Sequence, residues 1–553
     1  MKLEVQGLNC FLENKQLQVS FSQNGTVHSL KYQGKELLGN LDGAKNDPNK
    51  KSSFYCDYHD GKPRNLQPTQ LKIIENSDHC LHIAYLDLTS PLNLEYHIFL
   101  LNDEACIYGY IVAKTTEQEM TIGELRTVYR LNHSLFPIAY TSERQGIQPK
   151  ASYLAKFKQL QDETFELPDG SKYTNSSVYS KYDYAGYFKD NNFWGQYGDQ
   201  FGCWFIPIDQ SYFPSGPLKQ DLLVHYDGII LNYLTGAHFG TGNFQLPKHW
   251  EKFYGPWCIY LNQGEQKISD VKNKVNQLTK KQDSSWFSKI EPRYPNFLVE
   301  LTGELNLTGK ENANDWIVIL TDTKGDVYTQ KAGRIFYTET HKDNHFHIPH
   351  IHPGIYHLYA YIKGTEISED FYLGSFKLTK NEDLGQLDIP YQMKKLIWKI
   401  GYFSKTTEPF KFSDQLRNYI WKELVPNSLT YHVGSSEDWY YLQNDHGKWQ
   451  IKFSKPEKLN KKFLLTICLA GATQKQMEPA TGVQFFVSLN GHLLKKYSFE
   501  NDRSAYRSTV TNGKSHKLEL VIDAAQLTNI NVIDFETDGY ILYDMIKFEE
   551  ENN

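Results

Sequence analysis

The chain has 553 residues, and its 59 lysines and arginines against 65 aspartates and glutamates give a formal net charge of −6. The absence of a basic excess argues against a nucleic-acid partner or an anionic membrane surface. Aromatic residues make up 14% of the chain and charged residues 22%, which is typical of folded domains with large cores rather than of disorder. At about 150 residues per domain, this length predicts three or four domains, or fewer if one is a large β-domain.

Targeting and cysteine signals are weak in this sequence. The longest apolar stretch, residues 463–472, is far shorter than the roughly 20 residues of a membrane helix. Residues 1–7 lack the apolar segment of a leader, so we expect a cytoplasmic protein if residue 1 is the native start, and otherwise a secreted one whose leader was removed. The seven cysteines form no CxxC pair, which favours buried thiols over a zinc site or a dense disulfide framework.

Apolar and polar residues alternate along the chain up to about residue 285, as in strands with one buried face. The pattern holds over 17–21, and Asn24-Gly25 then supplies a hairpin turn before a return strand. It recurs over 92–100. This part of the chain therefore predicts one large antiparallel β-domain.

A short helix and a shift in composition mark the end of the first domain. Apolar residues fall at helical spacing over 268–278 and are followed by Lys280-Lys281. Shorter strands begin near residue 297, in a segment of the size of an immunoglobulin-like or fibronectin-like sandwich. A further boundary lies near Pro390, and the rest is again strand-rich. We therefore predict three β-domains in series, at 1–288, 289–390 and 391–553.

Several common catalytic motifs are missing. The sequence contains no GxxxxGK[ST] loop, no GxGxxG loop between a strand and a helix, no HExxH and no GxSxG. Its densest histidine group could be a metal cluster, but a polar, solvent-facing strand explains it as well, and metal sites need complete ligand sets. We favour the solvent-facing interpretation for this group, which consists of His341, His345, His347, His350 and His352.

Two segments combine chemically useful side chains with tyrosines and glycines. Residues 179–187 place Lys181 among four tyrosines, and residues 231–242 place Tyr233 and His238 beside glycines. Ordinary strand packing around a lysine that extends to solvent, and a turn histidine, are the structural alternatives. Composition leaves both interpretations open.

At these residues the chain resembles the rhamnogalacturonan lyases of polysaccharide lyase family 4. The similar segments are spread over the whole length. They comprise Gly-Glu-Leu-Arg at 123–126, Arg-Leu-Asn at 130–132, Ser-Lys-Tyr at 180–182, the tyrosine-to-histidine spacing at 233–238, the Gly-Pro strand at 253–261, the fibronectin-like segment at 346–360, and the jelly-roll segments at 398–401 and 429–436.

The resemblance implies an all-β fold: a large antiparallel β-sandwich of the galactose-mutarotase-like supersandwich type, a fibronectin type III-like sandwich and a carbohydrate-binding-module-like jelly roll. It also implies Lys181 as the proton abstractor, His238 as the acid, and Arg126 and Tyr233 as substrate-binding residues. It implies no metal or other cofactor for catalysis, and leaves room for a structural calcium in the C-terminal domain. Leu231 stands where some members have a second tyrosine, which affects individual sugar contacts rather than the reaction.

The implied reaction is β-elimination in the backbone of rhamnogalacturonan I, as polysaccharide or oligosaccharide. A base removes H5 of a galacturonate, the rhamnosyl oxygen leaves C4, and a 4,5-unsaturated uronate remains. The developing charge needs a cation, and a guanidinium such as Arg126 can hold a carboxylate through two hydrogen bonds. Lys181 can act as the base only if it is neutral, so its ordinary pKa of about 10.4 must fall toward the operating pH. Burial and a nearby cation such as Arg126 would both promote this. His238 could protonate the leaving oxygen.

Two other functions stay open. A glycoside hydrolase acting on pectin-derived sugars could use paired carboxylates, for which Asp183, Asp199 and Glu124 are available. A non-catalytic pectin-binding protein would use the aromatic modules for sugar binding alone. Saturated products would indicate the hydrolase, and affinity without any fall in polymer viscosity would indicate the binding protein.

Overall fold

The computed structural model describes twelve stretches of the chain. They are residues 1–38, 52–174, 176–279, 284–309, 314–328, 330, 333–340, 343–414, 424–456, 461–475, 479–507 and 513–551. Within them, no helix has both the length and the apolar character needed to cross a bilayer. The chain divides into two compact units. The first comprises Met1–Ala237, Gly242–Lys281 and Gln330–Ile335, and the second comprises His238–Thr241, Gln282–Thr329 and Phe336–Asn553.

The first unit consists mainly of short strands, as the alternating pattern predicts. Its helices are α1 (Ala151–Leu154) and α2 (Lys267–Thr279). In chain order its strands are β1 (Lys2–Gln6), β2 (Asn9–Glu13), β3 (Leu17–Phe21), β4 (Val27–Tyr32), β5 (Lys35–Glu36), β6 (Tyr55–His59), β7 (Pro63–Asn65), β8 (Gln70–Asn76), β9 (Cys80–Asp87), β10 (Asn93–Leu101), β11 (Cys106–Lys114), β12 (Met120–Ile122), β13 (Glu124–Arg130), β14 (Ile138–Tyr140), β15 (Gln145–Ile147), β16 (Gln159–Gln161), β17 (Thr164–Glu166), β18 (Val178–Ser180), β19 (Ala185–Tyr187), β20 (Trp194–Tyr197), β21 (Phe201–Pro207), β22 (Gln220–Leu222), β23 (Val224–His225), β24 (Ile229–Gly236), β25 (Phe244–Leu246) and β26 (Glu251–Gln263).

Three larger antiparallel sheets organise these strands. Their strand orders are β1-β2-β3-β4-β5, β15-β14-β20-β21-β26-β11-β10-β9-β8 and β23-β24-β13-β6-β7. The last two face each other across a common aromatic core, where Tyr129 of β13 packs against Phe205 of β21 with ring centroids 6.1 Å apart. The five-stranded sheet β23-β24-β13-β6-β7 thus has one face turned to the core, and its other face remains for polar side chains.

The predicted hairpin and helix both form. Residues 17, 19 and 21 of β3 are buried, and the chain returns as β4 after the predicted Asn24-Gly25 turn, where Gly25 has a φ of 71°. In α2, Val271 and Val275 are buried, because their spacing places them on one helix face. The predicted lysine pair at 280–281 lies outside the described residues.

The remaining strands form two further pairs of sheets. In chain order the elements are α3 (Ser285–Ser288), β27 (Val299–Leu307), β28 (Asp315–Thr321), β29 (Ile335–Glu339), β30 (His345–Ile351), β31 (Gly354–Lys363), β32 (Phe371–Leu378), β33 (Glu382–Ile389), β34 (Leu396–Gly401), β35 (Leu429–His432), β36 (Leu442–Gln443), β37 (Trp449–Ser454), β38 (Lys462–Thr473), β39 (Val483–Leu489), β40 (His492–Phe499), α4 (Ser504–Arg507), β41 (His516–Asp523), β42 (Ile530–Thr537) and β43 (Tyr540–Glu550). The fibronectin-like part has the sheets β30-β27-β33 and β29-β28-β31-β32. The jelly-roll part has the sheets β34-β43-β38-β41, with β36 paired to β43, and β35-β37-β42-β39-β40. The all-β class is confirmed, and the boundaries near 288 and 390 stay predictions.

Candidate active site

A row of charged and phenolic side chains lies on the polar face of the sheet β23-β24-β13-β6-β7. Arg126 of β13 is paired in register with Asp57 of β6 and with Tyr233 of β24, and Glu124 is paired with His59. Side chains at paired positions of neighbouring strands stand side by side on one face. We call these five residues the Arg126 cluster.

Arg126 is the centre of this cluster. Its Nε and Nη2 donate to Oδ1 and Oδ2 of Asp57 at 2.8 and 3.1 Å, and its Nη1 donates to the Tyr233 hydroxyl at 2.8 Å. Glu124 approaches Nη1 at 3.5 Å. Burial alone would lower the pKa of the Arg126 guanidinium, but Tyr233, Asp57 and Glu124 together raise it. The structure therefore brings Arg126 and Tyr233 together and keeps the guanidinium charged, and their role as substrate-binding residues stays a prediction.

A fully buried ion pair adjoins the cluster at the end of β24. Lys219 Nζ lies 2.9 Å from Asp221 Oδ2, and neither side chain is exposed to solvent. Lys219 also donates to the Gly236 carbonyl at 3.1 Å. A Cβ at Gly236 would come within 2.6 Å of Asp221 Oδ2, so the close approach of this carboxylate requires a glycine. The ion pair therefore fixes the strand end that is paired in register with Glu124.

Lys181 opens a short 3-10 helix, Lys181–Tyr184, that follows β18. Ser180 caps this helix, since its hydroxyl accepts a hydrogen bond from the backbone of Tyr182. Lys181 Nζ donates to Glu163 Oε2 at 2.5 Å and to Asp162 Oδ1 at 3.3 Å, and its side chain is 11% exposed. The charged groups in contact with Lys181 are thus carboxylates, whereas the sequence suggested a neighbouring cation such as Arg126.

His238 follows β24 and is buried. Its segment, His238–Thr241, is grouped with the second unit. There Gly240 lies against the backbone of Gly513 and Lys514, so closely that a Cβ would not fit. Lys181 belongs to the first unit, and joint action of Lys181 and His238 on one sugar stays a prediction.

A cavity of about 460 Å³ lies beside β6 and β7. Its lining includes Tyr55 and Cys56, which precede Asp57 on β6. Carboxamides both donate and accept hydrogen bonds, as a hydroxyl-rich ligand requires. Four of them are among its lining residues, Gln23, Asn24, Asn65 and Gln67.

The histidine-rich strand behaves as a polar edge of the fibronectin-like part. His345 and His347 of β30 are exposed and alternate with buried Phe346 and Ile348, and His347 lies 3.1 Å from the Glu300 carboxylate. In the described part of the chain, no group of three or more histidine, cysteine, aspartate or glutamate side chains is placed to hold a metal ion. The solvent-facing interpretation is wrong for His352, which is buried against the rings of Tyr294 and Phe336. Residue 341 of the predicted group lies outside the described part.

Several functional candidates were missing from the sequence analysis. They are Asp57, Glu163, Lys219, Asp221 and His225. A signal existed for the first of them, since Asp57 and His59 alternate with the buried Cys56 and Tyr58 along β6, which is the pattern of a strand with one polar face. The others lie on short elements whose partners are remote in sequence.

Comparison with known proteins defines the class. Residues 396–548 match the family model for domain III of polysaccharide lyase family 4, which is CBM-like, and residues 310–370 match the model for its domain II, which is fibronectin type III-like. The two C-terminal β-modules are therefore of the type found in polysaccharide lyases.

Full-length relatives place the chain more narrowly. The rhamnogalacturonate lyase of Dickeya dadantii (strain 3937) is 35% identical, with 100% of this chain and 95% of that protein aligned. The probable rhamnogalacturonate lyase B of Aspergillus terreus (strain NIH 2624 / FGSC A1156) is 23% identical, with 83% and 79% aligned. The chain belongs to polysaccharide lyase family 4, and the predicted family is confirmed.

Among solved structures, a galactose mutarotase-like protein from Lactobacillus casei ATCC 334 overlaps 46% of this chain and 100% of its own length. The identity is 8% and the TM-score is 0.26. A likeness of this strength carries no conclusion about the chemistry of either protein.

Proposed function

We propose that this polysaccharide lyase cleaves the rhamnose-α-1,4-galacturonic acid bond of rhamnogalacturonan I by β-elimination and leaves a 4,5-unsaturated uronate end. The proposal draws its substrate from two relatives that align over most of the chain, which are named rhamnogalacturonate lyase and probable rhamnogalacturonate lyase B. The observation that carries it in this chain is the Arg126 cluster, a guanidinium held in a fixed orientation on the polar face of a sheet.

Arg126 suits the difficult part of the reaction. Removing H5 beside an ionised carboxylate adds negative charge next to existing negative charge, so a preorganised cation lowers the barrier. The hydrogen bonds to Asp57 and Tyr233 engage three of the five N–H groups that a guanidinium carries. The same cation can therefore also receive the uronate carboxylate, and its partners keep it oriented while the substrate binds.

Lys181 and His238 are the proposed base and acid. The neutral amine of Lys181 takes H5, the electron pair of the C5–H bond becomes the C4–C5 double bond, and the bond between C4 and the rhamnosyl oxygen breaks. His238 gives its proton to that oxygen. Because Lys181 contacts two carboxylates, this scheme requires the ammonium to lose a proton before it can take H5.

A separate cavity is the proposed binding place for uncharged sugar hydroxyls. The lining of the cavity beside β6 and β7 includes carboxamides and a phenol, which suit the hydroxyls of neighbouring sugar units. We include no metal or organic cofactor in the chemical steps. A calcium ion, if one binds in the C-terminal domain, would be structural, and we assign it no ligands.

A substrate comparison tests the reaction. The purified chain is incubated in parallel with rhamnogalacturonan I backbone and with homogalacturonan, while ultraviolet absorbance and product size are followed. We expect shorter products that absorb as conjugated enoates from the first polymer only. Shorter products without absorbance would indicate a hydrolase, and binding without any loss of viscosity would indicate a non-catalytic protein. Either result would contradict the proposal.

A further inference from the structure

Three donors converge on the carboxylate of Glu163. Lys181 Nζ donates to its Oε2 at 2.5 Å, and the ring Nε2 of His225 lies 3.3 Å from the same oxygen. The Tyr226 hydroxyl donates to Oε1 at 2.5 Å. His225 ends β23 and Tyr226 follows it directly. The carboxylate is therefore fixed to the edge strand of the sheet that also carries the Arg126 cluster.

The backbone of Glu163 is held as tightly as its side chain. The residue lies in the turn between β16 and β17 with a φ of 46°, in the left-handed region that a glutamate rarely adopts. Its carbonyl accepts a hydrogen bond from the backbone N–H of Lys181 at 3.1 Å. Unfavourable backbone conformations persist where the surrounding structure enforces them, often at functional sites. Here the turn brings both the carbonyl and the carboxylate of Glu163 to Lys181.

The other groups around the Lys181 amine come from the same hairpin and from the 3-10 helix. Asp162 Oδ1 lies 3.3 Å from Nζ, and Asp162 Oδ2 accepts a hydrogen bond from the Tyr182 hydroxyl at 2.6 Å. The ring of Tyr182 lies beneath the ammonium, 5.1 Å from Nζ to its centroid. From the opposite side, His225 and Tyr226 contact Glu163 rather than Lys181.

Glu163 carries a permanent negative charge in this arrangement. Burial alone would raise the pKa of its carboxyl, but the charges and hydrogen bonds of His225 and Lys181 together hold the pKa well below its usual range. An anion in contact with an amine favours the charged form of that amine. The negative charge of Glu163 therefore lies in direct contact with the Lys181 amine.

We propose that Glu163, anchored by His225 and Tyr226, is the positioning residue that fixes the Lys181 amine and acts on it through its negative charge. The inference rests on the proposed function, because it takes Lys181 as the base. It assigns Glu163 no contact with the substrate. Its effect passes through Lys181 alone.

The pH dependence of kcat/KM in Glu163→Gln tests this role. Glutamine keeps the size and the hydrogen-bonding capacity of the side chain but removes its charge, so we expect one limb of the pH profile to move to lower pH by about one unit. The other limb should stay in place. Glu166→Gln is the matched control, because Glu166 lies on the same hairpin, is exposed and faces Lys158 at 3.8 Å. It should leave both limbs unchanged.

The outcomes separate this inference from the proposed function. A folded Glu163→Gln with both limbs unchanged would overturn the inference, provided that Lys181→Ala is inactive and the base assignment stands. An active Lys181→Ala would overturn the base assignment and the inference with it. If circular dichroism shows that Glu163→Gln does not fold, Glu163→Asp replaces it. The aspartate side chain is one methylene shorter, so its carboxylate lies farther from the Lys181 amine. We expect the same limb of the pH profile to move in the same direction, by less than in Glu163→Gln.

Discussion

Arg126 and Lys181 show what the family resemblance contributes at the scale of single side chains. The resemblance implied a functional role for both, and the structure adds the side chains that contact them. Asp57 lies 69 positions before Arg126, and Tyr233 lies 107 positions after it. Such partners cannot be identified from local spacing, because they meet only when β6, β13 and β24 pair. The predicted neighbour of Lys181 was a cation, and its observed neighbours are two carboxylates from a hairpin.

The substitution Arg126→Lys tests the pair of hydrogen bonds that Arg126 donates to Asp57. Lysine keeps the charge but cannot donate two parallel hydrogen bonds to Asp57. We expect kcat/KM on rhamnogalacturonan I to fall by about 10²-fold, the usual order for losing one oriented donor to developing charge. Steady-state kinetics measures this, with Arg64→Lys as the control, since Arg64 pairs with Asp60 at 2.5 Å outside the cluster. Equal activity of Arg126→Lys and the control would contradict the role of Arg126.

At the scale of elements, alternation predicted strands such as β3 and helical spacing predicted α2, and both form. The register could not be predicted. The pairing of β13 with β24 shifts between Leu125 and Arg126, and this irregularity decides which side chains share the polar face. Strands β16 and β17 have three residues each and the 3-10 helix at Lys181 has four, which is too short for a periodic signal.

His516, the first residue of β41, gives a pH prediction for the jelly-roll part. Its ring packs on Phe499 with centroids 4.5 Å apart. Burial, helped by the charge of Lys514, lowers the pKa of His516 from 6.5 to about 4. Below pH 6.5 the unfolded chain therefore takes up a proton that the folded chain does not, and stability falls as the pH falls toward about 4. Between pH 7 and pH 5 this group should remove about 2 kcal/mol from the free energy of unfolding.

His516→Phe keeps an aromatic ring against Phe499 and removes the titrating group. Urea unfolding at the two pH values should then show a smaller pH dependence than in the wild type. His492→Phe, at an exposed position on the neighbouring β40, should retain the full dependence. An unaltered dependence in His516→Phe would show that another group is responsible.

At the scale of the whole molecule, family resemblance was more informative than periodicity. Segments distributed along the chain predicted the polysaccharide lyase family and the two C-terminal β-modules, and the family models at 310–370 and 396–548 confirm them. Alternation and composition alone predicted three β-domains in series without a family or an activity. The assignment of His238–Thr241 to the second unit was not predictable, because it depends on the close approach of Gly240 to residues 513 and 514.

The cysteines give a prediction for the whole chain. All seven are free and buried, and burial raises the pKa of the Cys10 thiol to about 12 and that of Cys203 still further. Since the thiolate is the reactive form, the native protein should react only slowly with a thiol reagent. After unfolding in guanidinium, seven thiols should titrate, with or without prior reduction. Fast reaction of the native protein with the thiol reagent, or more reactive thiols after reduction than before it, would contradict this arrangement.

The most direct measurement of the central claim is the rate at which Lys181→Ala releases unsaturated products from rhamnogalacturonan I. Loss of a general base should lower kcat by about 10²–10⁴-fold, while circular dichroism and the unfolding midpoint stay close to those of the wild type. Near-normal release of unsaturated products by the folded variant would show that another group removes H5.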